Sequence, residues 1–466
     1  DVGGAYKYDY TKKRWVQLFS FITEAKKGYL SVKGIAIDPT DENIVYFLCG
    51  CAYFSGAKTA IYKTTDGGKT FTETEITDMI QVHGNGDGRQ CTEPIGVDPD
   101  NHNTIYAGGD VTFGESALIK STDGGKTWNY VLGYNKLGLY KYDIKYPSWT
   151  NRITRGTING SYSQQNGVDA LKIYGGKIYV ATGVKGVPNV HVADVDKDEF
   201  TVLSTDLPYS DYPLSITDDD NGNLFFTYIA SLDFGGSYGG AYKYNIKSGK
   251  VTQISPTKKA IGMITADKKN PNRLLARTCG VWQIQYYTEE WDDSSNAWGD
   301  HFFRSTDGGE SWINITPGQK WKEDGESYFV SRPIDPNGFE WIYAKSVHWG
   351  TSIVLDPKNP NKILMSSGNG VFNCDNVWDE KDVQFYFNPN GVEEVVAYDY
   401  FSVQGGNGYS AIADYDGFIP SNIPEIGYQT KPNIGFTSVI YACRQNPKIM
   451  IRYGNENALY SQDGGK

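Results

Sequence analysis

The chain has 466 residues, 39% apolar and 21% charged, with a formal net charge of −11 at pH 7. That acidic balance argues against nucleic acid or an anionic membrane surface as partner, and no apolar run approaches the roughly 18 residues of a membrane-spanning helix. The 53 Gly, 35 Tyr, 20 Phe and 11 Trp exclude coiled coil, collagen and disordered tail, and favour strands joined by turns.

In chain order, Asp1-Val2-Gly3-Gly4-Ala5-Tyr6 reads as a strand and turn entered midway. A strand ending Ile37-Asp38-Pro39 follows, then a turn, then Ile44-Val45-Tyr46 and Ala60-Ile61-Tyr62-Lys63. Next stands Thr64-Thr65-Asp66-Gly67-Gly68-Lys69-Thr70-Phe71. The succession repeats as Val97-Asp98-Pro99, Thr104-Ile105-Tyr106 and Ser121-Thr122-Asp123-Gly124-Gly125-Lys126-Thr127-Trp128. Degenerate copies follow around Lys172, Asp218 and Asp267, with a third motif at Ser305-Thr306-Asp307-Gly308-Gly309-Glu310-Ser311-Trp312. Leu355-Asp356-Pro357 opens a further copy, and Ser461-Gln462-Asp463-Gly464-Gly465-Lys466 is a fourth motif cut short. Both ends therefore read as those of a segment of a longer protein.

The repeated form, S/T-x-D-G-G-x-T/S-aromatic, is the Asp-box. Its two glycines supply the positive φ angles of a tight hairpin turn, its carboxylate can accept from local N–H groups, and its aromatic packs beneath. These aspartates are read as structural. Anchors at 38, 98, 172, 218, 267 and 356 mark a unit of roughly 45–60 residues with four short strands, which is a propeller blade. Six anchors plus one blade begun upstream make seven. The expected fold is all-β: a seven-bladed propeller over 1–395 lacking its first strands, then over 396–466 a linker and the first blade of a second, truncated propeller. The longest gap between anchors holds residues 279–303, rich in Trp and Tyr, and long insertions on blades usually line the binding face.

Six cysteines, without a C-x-x-C pair, point to one or two disulfides or to buried thiols rather than a metal site. No cofactor and no metal cluster is expected from the five scattered histidines.

The ordered motifs resemble glycoside hydrolase family 74. Asp1 to Asp9 with Trp15 is similar to its first-blade signature. His348-Trp349 with Ile353-Val354-Leu355-Asp356-Pro357 is similar to a late first-propeller signature, and Ser367-Gly368-Asn369-Gly370 and Gly391-Val392-Glu393-Glu394 follow it. Ala411-Ile412-Ala413-Asp414-Tyr415-Asp416-Gly417-Phe418 resembles the entry to a second propeller. The resemblance implies a secreted, extracellular enzyme that cleaves xyloglucan, a plant cell-wall β-glucan, with inversion and in endo fashion, in a cleft between two propellers. Further carbohydrate-binding or docking modules can lie outside the segment.

By the same resemblance the general base falls on Asp1 and the general acid on Asp414, an inverting pair being roughly 6.5–9.5 Å apart. Asp416 stands where the family has Gly, and Ile419-Pro420-Ser421-Asn422 replaces a basic-acidic run. Sugar rings stack on aromatic faces, so Trp282, Tyr286, Trp291 and Trp298 of the insertion, with His348 and Trp349, are the expected substrate-binding residues. The alternative is a non-catalytic glycan-binding or scaffold propeller that keeps the family fold.

Overall fold

The computed structural model describes residues 3–51, 58–84, 92–109, 111–112, 115–139, 157–158, 161–162, 167–230, 238–286, 296–323, 326–344, 347–392, 395–402, 408–419 and 428–465. Within these the chain is built from antiparallel strands, and the fold is a β-propeller. Among the described residues no helix is long and apolar enough to cross a membrane.

Among the described residues six four-stranded sheets follow one another, each an up-and-down meander. The first takes Val32–Ile37, Val45–Gly50, Thr59–Thr64 and Thr72–Glu75. The second takes Ile95–Val97, Ile105–Gly108, Leu118–Ser121 and Asn129–Tyr130. The third and fourth run from Val168–Tyr174 to Thr201–Val202 and from Tyr212–Asp218 to Val251–Gln253. The fifth takes Ile261–Asp267, Asn270–Thr278, Phe302–Ser305 and Ile313–Asn314. The sixth takes Ile353–Leu355, Ile363–Ser367, Gly370–Cys374 and Phe385–Phe387. The anchors read from the sequence lie at or beside the turn between first and second strands, as Asp38, Asp98 and Asp356 illustrate.

The apolar cores lie between sheets rather than within them. Leu48 and Ile61 of the first sheet pack with Ile95, Ile105 and Ile119 of the second. Leu118 joins Leu171 and Val180, and Phe225 joins Ile264 and Leu274, across the next junctions. Met263, Leu275 and Phe302 meet Ile353, Ile363 and Phe372 between the fifth and sixth. A two-stranded hairpin, Tyr6–Asp9 with Arg14–Gln17, bridges the ends of this arc. Ala5 and Phe19 pack on Phe47 and Tyr62 of the first sheet. On the other side, Trp15 donates its backbone N–H to Asn390 O at 2.8 Å and its indole N–H to Asn388 O at 2.9 Å, just past the sixth sheet. Alternating strands with large apolar residues on both faces account for this face-to-face stacking, because each sheet must cover two neighbours.

The segment after 395 has its own small core, Tyr409, Ala411, Ile440, Ala442 and Met450, under the hairpin Ala397–Ser402 with Gly408–Ile412 and the sheet Val439–Ala442, Met450–Gly454, Asn457–Ser461. Cys49 and Cys374 are buried thiols and Cys443 is a half-buried one; Cys51 and Cys279 are buried, and Cys91 lies outside the described residues.

Candidate functional site

A meander of antiparallel strands puts its turns alternately at two ends. Connections between first and second strands, and between third and fourth, emerge on one face of the ring. Connections between second and third strands, and from one sheet to the next, emerge on the other.

The S/T-x-D-G-G turns join third to fourth strands and therefore occupy the first face. In the first, Gly67 and Gly68 take φ of +72° and +94°, the left-handed region that a Cβ disfavours. Thr64 Oγ1 donates to Asp66 Oδ1 at 2.8 Å, while the N–H groups of Lys69 and Thr70 donate to the same oxygen at 2.9 Å. Thr70 Oγ1 donates to Oδ2 at 2.6 Å. Asp123 and Asp307 are engaged in the same way by Thr127 and by Ser311. The hydroxyl and amide of Thr70 hold the Asp66 carboxyl well below the usual carboxylate range. Gly67, Gly124 and Gly308 donate to Asn43, Asn103 and Asn272, tying each turn to the neighbouring turn of its own sheet. These carboxylates are committed to their turns.

The second face carries the aromatic candidates. Trp282 lies in the connection between second and third strands of the fifth sheet, and His348 and Trp349 lie in the connection leading into the sixth. The topology thus brings residues 66 positions apart together. The ring centroids of Trp282 and His348 are 5.2 Å apart with planes 33° apart, and Trp349 stands edge-on to both at 6.1 and 5.4 Å. Trp282 and Trp349 are 44% and 48% exposed, so a ligand can reach their faces. Trp298 is 52% exposed on the hairpin Gln283–Tyr286 with Asn296–Gly299, where it pairs with Ile284. Tyr286 lies on the partner strand of that hairpin; its side chain, and the whole of Trp291, lie outside the described residues. Trp378 is used structurally, its indole N–H donating to Pro360 O at 2.7 Å under the Arg273 guanidinium.

Trp349 itself has φ of +47°. For a bulky residue the left-handed region costs roughly 1–2 kcal/mol, so neighbours must hold it there. Gly368 N–H and Ser367 Oγ both donate to His348 O at 2.8 Å, and His348 N–H donates to Ser367 Oγ at 2.9 Å.

Asp414 sits in the turn that follows Gly408–Ile412, with φ of +63° and an exposed side chain. Among the described residues its carboxylate accepts no hydrogen bond. The turn around it is rigid: Tyr415 N–H donates to Ala413 O and Gly417 N–H to Tyr415 O, both at 2.7 Å. Tyr415 is buried with its ring 4.8 Å from that of Trp341, in the short 3-10 helix Glu340–Ala344. That helix belongs to the same connection as His348 and Trp349, so the Asp414 turn is fastened to the segment that carries the aromatics. Asp416, two residues on, is fully buried and accepts from Ile434 N–H at 2.9 Å, within the field of buried Arg452. Asp416 braces the turn. Asp1 lies outside the described residues.

Sequence reasoning passed over the groups beneath the aromatics. Arg277 and Asp300 are both fully buried and pair at 3.1 Å. Burial pushes the Asp300 carboxyl up to about 6 against the opposing pull of Arg277. The available signal was an Arg at the end of the apolar run Leu274-Leu275-Ala276 and an Asp two residues before Phe302, with opposite charges on a strand and just ahead of its pairing strand.

A cavity of about 540 Å³ lies among the inner strands, lined by Ile35, Glu93, Leu171, Lys172, Asp218 and Lys268. Lys172 and Lys268 pair with Asp218 at 2.6 and 3.3 Å, and none of the aromatic candidates lines this cavity. Among the described residues no group of three His, Cys, Asp or Glu is placed to hold a metal ion.

No family model matches the chain. It is 26% identical to the xyloglucanase Xgh74A of Acetivibrio thermocellus and 25% identical to an oligoxyloglucan-reducing end-specific xyloglucanase of Emericella nidulans, each match covering 100% of this chain. It spans 56% and 61% of the length of these two relatives. Among solved structures, a GH74 enzyme of Niastella koreensis matches the whole chain with a TM-score of 0.82 and 28% identity, over 62% of that protein. The GH74 xyloglucanase of Xanthomonas campestris matches with a TM-score of 0.79 and 22% identity, over 64% of that protein.

Proposed function

Homologues named xyloglucanases and solved GH74 enzymes of the same fold support glycoside hydrolase family 74 for this chain, and from that premise we propose that it carries the xyloglucan-cleaving site of an inverting endo-β-1,4-glucanase. In this reading Asp414 is the general acid that protonates the leaving glycosidic oxygen, and Asp1 is the general base that activates water on the opposite face of the sugar ring. The aromatic group of Trp282, His348 and Trp349, with Trp298 beside it, takes the C–H faces of the glucan backbone. Tyr286 and Trp291 extend that platform along the insertion, and no cofactor takes part. The substrate is a plant cell-wall polymer, so the protein acts outside the cell. Residues 1–395 and 396–466 act as separate units, the first propeller and the opening of a second, with the reaction at their junction.

The observation that carries the reading is the state of Asp414. It is exposed, its carboxylate is left unused by its own turn among the described residues, and Tyr415 pins that turn to the connection bearing the exposed aromatics. An acid that donates a proton in the transition state has to be reachable and rigidly aimed. The test is release of reducing ends from tamarind xyloglucan by the intact protein and by Asp414→Ala, with the anomer first formed read by proton NMR. Turnover by the parent with an inverted product, lost in Asp414→Ala, supports the assignment. Retention of xyloglucan without turnover by the parent favours the glycan-binding alternative, for which the replacement of the family's basic-acidic run by Ile419-Pro420-Ser421-Asn422 speaks.

A further inference from the structure

We propose that Arg277 and Asp300, with Gln285, are positioning residues that fix the mutual orientation of Trp282 and Trp349. The inference rests on reading those rings as a glycan platform and adds what holds the platform in shape.

A buried ion pair is a poor device for stability alone. Two charges lose their water, and replacing such a pair by apolar residues of similar volume is often neutral or stabilising. The use of this pair lies in what else its atoms hold. Asp300 Oδ1 accepts from Thr278 Oγ1 and from Val281 N–H, both at 3.2 Å, and Val281 directly precedes Trp282. The Asp300 backbone N–H donates to Val347 O at 2.9 Å, and Val347 directly precedes His348 and Trp349. Gln285 closes the loop: its Nε2 donates to Asp300 O and, at 3.1 Å, to Val347 O, while its Oε1 accepts from Val347 N–H at 3.1 Å.

Arg277 supports the far side of the same segment. Its guanidinium donates to Ser352 O at 3.2 Å and to Ser366 O, and it lies so close beneath Gly350 that a Cβ there would collide with it. Gly350 directly follows Trp349. One buried cluster therefore grips the residue before Trp282, the residue before His348 and the residue after Trp349. Asp300 itself directly follows Asn296–Gly299, the strand that bears Trp298. The two tryptophans are about half exposed and touch one another and His348. A sugar ring stacks only on a face presented at the right angle, and the cluster fixes that angle by holding the backbone on which the rings stand.

The experiment uses protein labelled with 5-fluorotryptophan, with the Trp282 and Trp349 fluorine resonances assigned by Trp282→Phe and Trp349→Phe. The paired variant Arg277→Met, Asp300→Leu removes the cluster without stranding a buried charge. Its Tm is expected to fall, because Val281 N–H and the Ser352 and Ser366 carbonyls lose their partners, while both resonances shift and broaden. On xyloglucan oligosaccharides KM is expected to rise about tenfold with kcat within about twofold, the pattern of weakened ground-state binding. Gln285→Met cuts the tie to Val347 and strands no charge, so it carries the same test, read at Trp349, should the paired variant fail to fold. A folded variant whose two resonances keep position and width overturns the proposal. The spectra need no glycan, whereas the parent's own turnover tests the proposed function, so failure of one is separable from failure of the other.

Discussion

The two faces of the propeller use aspartate in opposite ways. On one, Asp66, Asp123 and Asp307 each close a turn, with hydroxyl and amide donors filling both carboxylate oxygens. At the segment pinned to the other, Asp414 stands exposed in a turn held rigid by backbone bonds and by Tyr415, with its carboxylate unused among the described residues. A carboxylate with its lone pairs filled and its proton affinity depressed is suited to holding a fold together and unsuited to giving up a proton at neutral pH. On the proposed reading, the difference sets structural aspartates apart from the proposed acid without reference to motif.

The largest effect expected from this contrast is on turnover. Asp414→Ala should lower kcat by about 10²–10⁴-fold, the usual worth of a general acid, with Tm unchanged. Asp66→Ala should do the reverse, lowering Tm while turnover per folded molecule holds. Parallel steady-state kinetics and thermal melts of the two variants check both, and an active Asp414→Ala protein would erase the distinction.

The contrast sharpens within a single turn. Asp416→Ala takes the acceptor from the half-buried Ile434 N–H and the opposite charge from beside buried Arg452, and should cost about 1–3 kcal/mol of stability, measured by denaturant unfolding. Its effect on kcat should be small beside that of Asp414→Ala. Loss of turnover without loss of stability would make Asp416 the acid instead.

Smaller effects are expected at the platform. Trp282→Ala and Trp349→Ala should each weaken binding by about 0.5–1.5 kcal/mol, the range of a single aromatic stacking contact, seen as raised KM or as reduced retardation in xyloglucan-containing native gels. Equal mobility of parent and both variants would remove these rings from the binding face.

The smallest concerns acid stability and lies away from both faces. Burial pushes His191 down to about 4, with its Nδ1 unpartnered among the described residues. The unfolded chain takes up that proton near pH 6.5 and the folded chain only near 4, so stability is lost as pH falls through this window, by up to one proton's worth of slope. His191→Asn should flatten the slope of Tm against pH between about 6.5 and 4; an unaltered slope would assign the acid sensitivity elsewhere.

What could be read without coordinates was local. The blade anchors and the D-G-G turns were legible because each motif carries its donors, acceptors and positive-φ glycines within eight residues. The aromatic site was legible only in part. Trp282, His348 and Trp349 could be named from insertion and resemblance, but their contact depends on the fifth and sixth sheets lying side by side with those connections on one face. Asp300 looked like one more scattered acid because its partner Arg277 lies 23 residues earlier on another strand.

The sequence by itself determined the turns, the four-stranded units and the repetition that demands stacked sheets, because short-range hydrogen bonding and strand alternation need no distant partner. Only the tertiary structure decided that Asp416 is buried while Asp414 is reachable, and that an Arg–Asp pair underlies the exposed tryptophans. Burial is a property of what packs on a residue, and here the packing comes from segments tens to hundreds of residues away.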